Sequence, residues 1–300
     1  MIVRFGYVAM SALLPNASPS KTMTATRFSQ LADREAALRR LERLAEENLH
    51  NCMRLLRHNS AHDIQVFRFS SRLIPLATHE ITAGWNPMAV LAPAFAEVGD
   101  YVQQHGMRTS LHPDHFTVLT SPRDEVYQYS LRDLRHQSGM LAAMGLDERA
   151  KCNIHIGGTY GDKMTALHRF CERCGKLDPA ILSRLTLEND DKTYTALETL
   201  ETCEKVGVPM VLDIHHHQVN PGNGEQIPEL WLRIRETWDA AGIPPKIHAS
   251  SPKSASMPKA HADYVDPEPL LTILKIIAPE TPALDVMIEA KSERTKLCFN

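Results

Sequence analysis

The chain has 300 residues, 43% of them apolar, a formal net charge of −3 with histidine neutral, and no apolar run long enough to cross a bilayer. Length and composition suit one globular core of barrel size, and the charge excludes a strongly basic nucleic-acid binder of the histone type. They leave room for an enzyme that holds nucleic acid through local basic clusters and bound cations, whose charge composition does not count.

Short runs rich in Val, Ile and Leu predict buried strands over Arg4–Met10, Ile64–Ser70, Met107–Pro113, Cys152–Gly158, Leu185–Asp190, Val208–His217, Pro245–Ser251 and Leu284–Lys291. Amphipathic segments alternate with them: Arg34–Leu56, Ala89–Gln104, Arg123–Met144, Thr195–Val206, Pro228–Ala241 and Pro267–Ile277. Helix starts are marked by Ser121-Pro122 and Asp266-Pro267, and stops by Gly145, Gly207 and Gly242. Eight strands alternating with helices predict a TIM (β/α)8 barrel, one domain over residues 1–300, with a metal site at the C-terminal face of the strands.

Six cysteines are scattered through the chain, and the start is a short strand rather than an export signal, so the expectation is a cytoplasmic protein with reduced thiols. Cys171-Glu-Arg-Cys174 has metal or redox spacing, but it is a single pair at the end of a helical segment and reads as ordinary helix cysteines. Three loops are longer than connection needs: Ser11–Arg27, Arg72–Asn86 and Ser250–Tyr264. Each follows the C-terminal end of a strand, on the face where barrels place substrate, and the third carries Lys253, Lys259 and His261 among serines.

The strand ends are the informative feature. A His, Asp or Glu lies at six of the eight: His112, His155, Glu188, Asp213 with His216, His248, and Glu289. A carboxylate at the end of a buried strand is costly unless a cation meets it. Mixed His and carboxylate donors suit Zn, Mn or Fe better than Ca or Mg, and a carboxylate bridging closely spaced ions suits cleavage of a phosphate ester. In Asp213-Ile-His215-His216-His217, a continuing strand separates Asp213 from His216, whereas a turn near His215 lets them converge. Lys246 lies two residues before His248, so both face the same side of their strand, and an ammonium is disfavoured among dications there: the lysine is turned away, neutral and in reach of a phosphate, or converted by CO₂ to an anionic carbamate.

Several motifs in order resemble the UV damage endonucleases, a DNA-repair family related to endonuclease IV and more distantly to xylose isomerases. They are Arg4-Phe-Gly-Tyr, Arg68-Phe-Ser-Ser-Arg, Leu111-His-Pro, Asn153-Ile-His-Ile-Gly-Gly, Leu187-Glu-Asn-Asp, Leu212-Asp-Ile-His-His-His, Lys246-Ile-His-Ala-Ser-Ser-Pro, His261-Ala-Asp-Tyr and Met287-Ile-Glu-Ala-Lys. The resemblance implies a three-metal site, usually manganese, with zinc, cobalt or magnesium as alternatives. Its pattern maps metal ligands onto His112, His155, Glu188, Asp213, His216, His248, His261 and Glu289, with Glu188 bridging. It implies catalytic roles for Lys246, His79 and Glu188, with Lys246 open to carboxylation, and DNA contacts from Tyr7, His115, Phe116, Lys253 and Lys259. The implied activity is hydrolysis of the phosphodiester 5′ to a UV photoproduct, and at some other lesions such as abasic sites. The implied partner is double-stranded DNA carrying UV lesions, bound by a monomer without membrane attachment. A sugar isomerase on the same fold and a non-catalytic damage-binding protein are the alternative readings.

Two departures from the family pattern stand out. His115-Phe116 replaces a Gln-Tyr pair, which keeps the aromatic and loses the amide. The chain also ends soon after Glu289, where the pattern continues into an apolar helix, so closure of the barrel by a last helix is in question.

Overall fold

The computed structural model describes residues 1–290. Eight parallel strands close into a barrel: β1 (Ile2–Val8), β2 (Val66–Arg68), β3 (Arg108–Leu111), β4 (Lys151–His155), β5 (Leu185–Glu188), β6 (Met210–Asp213), β7 (Lys246–Ala249) and β10 (Ala283–Ile288). The remaining two, β8 (Pro252–Ser254) and β9 (Met257–His261), form an antiparallel hairpin after β7. The barrel order β1-β10-β7-β6-β5-β4-β3-β2 makes sequence neighbours spatial neighbours except around this hairpin. The question of a final helix falls on residues outside those described.

Most helices follow their sequence signals, but the one expected from Ser121-Pro122 begins only at Asp124 without a side-chain cap, and the segment expected over Pro228–Ala241 is the helix Ile227–Glu236 followed by a separate 3-10 turn, Asp239–Ala241. Asp33 caps the helix Arg34–Ala61, Thr195 and Glu198 form a capping box on Ala196–Val206, and Asp266 caps Pro267–Ile277. Helix Ala196–Val206 ends at Gly207, whose φ of 72° is the left-handed conformation that glycine takes without a Cβ penalty. The helix Lys163–Cys174 contains both cysteines of the Cys-x-x-Cys pair, and the five cysteines among the described residues are free.

Along each barrel strand, alternate side chains face opposite ways. Those facing out are apolar and pack on the helices: Leu187, Leu212, Ile247 and Val286 in one cluster, Phe67, Leu111 and Cys152 in another. The interior is mostly polar instead, with Val66, Val211 and Met287 as apolar side chains among its charges. At the N-terminal end Arg4 grips Asp285 through two hydrogen bonds of 2.7 and 2.9 Å, and Arg108 pairs with the same carboxylate. Above them Lys246 reaches across the barrel to the Ser110 hydroxyl at 3.1 Å. The C-terminal end holds the histidines and carboxylates.

Most of the predicted strands are longer than the observed ones at their C-terminal ends. The sharpest case is the run to His217: β6 stops at Asp213 and a helix, Ile214–Val219, begins at once. Asp213 caps it by accepting the His216 amide at 2.7 Å. The loop expected over Ser250–Tyr264 is the β8–β9 hairpin, pinned to the barrel by His215. That fully buried ring bonds the Ser250 hydroxyl at 2.7 Å and the Pro258 carbonyl at 2.6 Å.

Candidate metal centre

Glu188, the last residue of β5, is 1% exposed and lies at the centre of the barrel mouth. Its Oε2 is 3.4 Å from His112 Nε2 and 3.1 Å from His248 Nδ1, and its Oε1 is 3.5 Å from His216 Nδ1. Glu289 Oε1 is also 3.1 Å from His248 Nδ1. Two sets of donor atoms lie within 4.8 Å of one another: His112, His155 and Glu188 in one, Glu188, Asp213 and His248 in the other. Glu188 belongs to both, as a carboxylate shared between two ions would.

Backbone carbonyls orient the rings. His112 Nδ1 is 2.9 Å from the Pro113 carbonyl, and His155 Nδ1 is 3.2 Å from that of Glu188. Donation from Nδ1 leaves Nε2 as a lone-pair donor toward the mouth, the usual arrangement around a metal-binding imidazole. His216 Nδ1 contacts the Asn189 carbonyl at 2.9 Å and lies 3.7 Å from Asp213 Oδ2. The break of β6 therefore brings Asp213 and His216 together, while His215 and His217 take other directions.

Charge at this end is held in tension. Burial pushes the Glu188 carboxyl up, but the charges of His248 and His155 and the close approach of His112 outweigh it and hold the group well below the usual carboxylate range. Burial would lower His248, yet Glu188 and Glu289 lift it to about 9. Burial carries Asp213 up to about 6, opposed by His216 and helped by Glu188 and Glu289. Burial likewise lowers His155, against the pull of Glu188. Two buried atoms, Asp213 Oδ2 and His248 Nδ1, have no hydrogen-bond partner despite these close contacts. Unsatisfied buried donors and acceptors of this kind, in a mixed imidazole and carboxylate set, fit a cation site.

The cluster floors an open cleft of about 930 Å³ lined by Arg68, His112, His155, Glu188, His216, His261 and Glu289, among others. Pro113, Asp114 and His115 form part of its rim. Phe116 beside them is 62% exposed, with its ring 4.0 Å from that of His115. Lys253 and Lys259 are exposed on the hairpin, and Lys259 donates to the Asp191 carbonyl at 2.6 Å. His261 ends β9 and faces the rings of His215 and His216 at 5.2 and 6.0 Å.

Three sequence-based expectations are corrected. Tyr7 is 2% exposed and points away from the cleft; its hydroxyl donates to Asn59 Oδ1 at 2.6 Å, so it packs the barrel wall rather than a base. His79 is exposed in the loop after β2, where its Nδ1 accepts the Ile81 amide at 3.1 Å as a local helix cap, outside the cleft lining. Lys246 does share the interior side with His248 but is 3% exposed and lies one layer deeper, so its amine cannot meet a DNA phosphate.

Sequence reasoning gave no role to Asn153, Asn189 or Arg68. Asn153 Nδ2 donates to Glu188 Oε2, while its Oδ1 accepts from the Thr186 hydroxyl at 2.9 Å. Asn189 clamps Asp213 by donating to its carbonyl at 3.0 Å and accepting its amide at 2.9 Å. Strand alternation would have found two of the three: Asn153 is two residues before His155, and Arg68 is the last residue of an inward-facing set.

Residues 3–299 match the model of the family described as UV-endonuclease UvdE. The UV DNA damage endonuclease of Halalkalibacterium halodurans is 45% identical over 294 residues, 98% of this chain and 91% of that protein. The crystal structure of SacUVDE superposes with a TM-score of 0.84 at 30% identity, covering 97% of this chain and 93% of that one. Endonuclease IV from Thermus thermophilus shares the fold, with a TM-score of 0.56 at 11% identity over 96% of this chain and 93% of that one.

Proposed function

Because the chain belongs to the UV-endonuclease UvdE family and is an endonuclease acting on DNA, we propose that it hydrolyses the phosphodiester immediately 5′ to UV photoproducts and to some other lesions such as abasic sites. The reaction leaves a 3′-hydroxyl and depends on manganese. The observation that carries this reading is Glu188, shared by two sets of metal-donor atoms at the floor of an open cleft.

His112, His155, Glu188, Asp213, His216, His248, His261 and Glu289 would hold up to three ions, with Glu188 bridging. Such ions, when bound, activate water at neutral pH and offset charge on the phosphate and the leaving oxygen. The chain's own residues do the positioning. Asn153 and Asn189 fix Glu188 and Asp213, and backbone carbonyls set the imidazole rings. Exposed Lys253 and Lys259 meet the phosphate backbone, and His115 and Phe116 test the stack at the lesion, where a damaged step opens more readily than an intact one.

Lys246 contributes in a different form. Burial, and then the nearby Arg108, push its amine well below the ordinary lysine range, and cations outnumber carboxylates around it. A neutral amine can attack CO₂, forming a C–N bond and releasing a proton, and the resulting carbamate would be an anion in a cationic layer. Mass spectrometry of the native protein should show one added CO₂ that is lost on acidification and absent from Lys246→Met. An unmodified Lys246 in the metal-loaded protein near neutral pH would exclude the carbamate.

The test of the function is incision of an end-labelled, UV-irradiated duplex with and without Mn²⁺. A cut immediately 5′ to the lesion that appears only with Mn²⁺ is expected. Cleavage that persists after exhaustive chelation, or none on any damaged duplex, would refute it.

A further inference from the structure

Arg68 ends β2, and its Nη1 lies 2.5 Å from Glu289 Oε1. Glu289 directly follows β10, and β1 lies between β10 and β2, so the side chain reaches past Val8 to make this contact. Both side chains are largely buried, 11% and 14% exposed, and both line the cleft. The same Glu289 oxygen is 3.1 Å from His248 Nδ1. One oxygen thus meets a guanidinium nitrogen at 2.5 Å and lies 3.1 Å from an imidazole nitrogen. The contact uses Nη1 alone, so the paired N–H fork that suits phosphate is not engaged by the carboxylate.

Granting the metal site proposed above, we propose that Arg68 is a charge placeholder that becomes a phosphate ligand. In the metal-free protein it offsets Glu289, whose carboxylate would otherwise stand beside Glu188. When a cation takes the Glu289 oxygen, Arg68 loses its partner and gains a like-charged neighbour. It then turns into the cleft and presents its fork to a backbone phosphate of the duplex. Metal and DNA affinities are coupled through one side chain, and such coupling must be reciprocal.

A residue that merely held Glu289 in position would weaken metal binding when removed; a competitor for Glu289 strengthens it. Titration calorimetry on Arg68→Met should show Mn²⁺ binding tightened by about threefold or more, as expected when a competing ion pair is removed. Anisotropy with an undamaged duplex, which is not consumed, gives the second readout. The gain in DNA affinity on adding Mn²⁺ should be smaller in Arg68→Met than in the parent protein by about threefold or more, the worth of one charge-assisted contact.

Unchanged or weaker Mn²⁺ binding overturns the placeholder, and an undiminished gain in DNA affinity overturns the phosphate contact. If Arg68→Met does not fold, Arg68→Lys retains a cation without the fork; the same two shifts are expected at smaller size, and no shift in either refutes the proposal. A parent protein that binds no Mn²⁺ refutes the metal reading itself, whereas one that binds it identically with and without Arg68 refutes only the role given to this residue.

Discussion

The two ends of the barrel interior are both charged, but they are charged in different ways. At the N-terminal end, Arg4 and Arg108 close on one carboxylate, Asp285, which is fully buried. Arg108 also donates to the Pro244 carbonyl at 2.6 Å and lies over the Trp238 ring at 5.0 Å. Its remaining Nε and Nη2 are buried without a partner, so even here satisfaction is incomplete. At the C-terminal end, carboxylates and histidines crowd around Glu188, the unsatisfied atoms include Asp213 Oδ2 and His248 Nδ1, and the cleft opens above them. One end pairs its charges on a single carboxylate, beside a smaller cavity of about 570 Å³ that Arg4 and Arg108 line. The other leaves donor atoms aimed at a space. Buried ions that pair internally contribute to holding the fold, and those that do not are candidates for function. Substitutions at the top should therefore remove activity, and substitutions at the bottom should change stability.

The largest expected effect is at the top. Glu188→Gln preserves size and removes the charge that would offset two ions. Incision should fall by at least about three orders of magnitude, in line with loss of an activated water, while DNA affinity falls far less. Cutting at near the parental rate would show that the cluster is not the catalytic centre. The counterpart at the bottom is Asp285→Asn, which strands Arg4 and Arg108 without their carboxylate. Breaking one partner of a buried ion network costs about 3 kcal/mol or more, read as a lower midpoint in urea unfolding. Mn²⁺ content at saturation should not change. A variant with normal stability, or one that folds but loses metal, would erase the distinction between the two ends.

Much of this layout is legible in the sequence because its physics is local. Short apolar runs between amphipathic segments fix the strands and helices, and a costly carboxylate at a strand end points to a cation site. What was not legible depended on contacts between distant segments. The direction of Tyr7 is set by Asn59 on a helix some fifty positions later, so its place at a strand end misled. The depth of Lys246 follows from its reach across the barrel to Ser110, which alternation along one strand cannot supply. His79 falls in a long loop, where position on the chain says little about distance from the barrel axis. The triple histidine was readable only as a choice, decided when Asp213 stops β6 by capping the helix that follows.

The rim differs from both ends in presenting an exposed aromatic rather than a charge. Phe116 has 62% of its surface exposed, so removing it should cost the fold little. Phe116→Ala should leave the unfolding midpoint within error and weaken binding of a damaged duplex by about 1–3 kcal/mol, the worth of one stacked base. The loss should be smaller on undamaged DNA. Equal losses on both would reassign Phe116 from sensing the lesion to general contact with the duplex.

The smallest expected effect tests whether the lower cations are a burden on stability. Lys151 is 5% exposed, and its amine donates to the Ser183 carbonyl at 2.8 Å. Burial, and then Arg108, depress its pKa from 10.5 to about 8. Between those values the unfolded chain binds more protons than the folded one, so stability should rise with pH across that window as the folded amine becomes free to lose its charge. At pH 7 both states are protonated and the full burden is present. Lys151→Met removes it at the expense of one hydrogen bond, and the two together predict a net gain of about 1 kcal/mol at pH 7. The gain should shrink as pH rises from about 8 to 10.5 and vanish or reverse only above about pH 11, where the parental lysine is neutral in the folded state and nearly so when unfolded. Incision, normalised to folded protein, should be unaffected. A variant less stable than the parent at pH 7, with no change in the pH slope, would mean that Lys151 stabilises the lower layer, and that layer would then be structural in its cations as well as in Asp285.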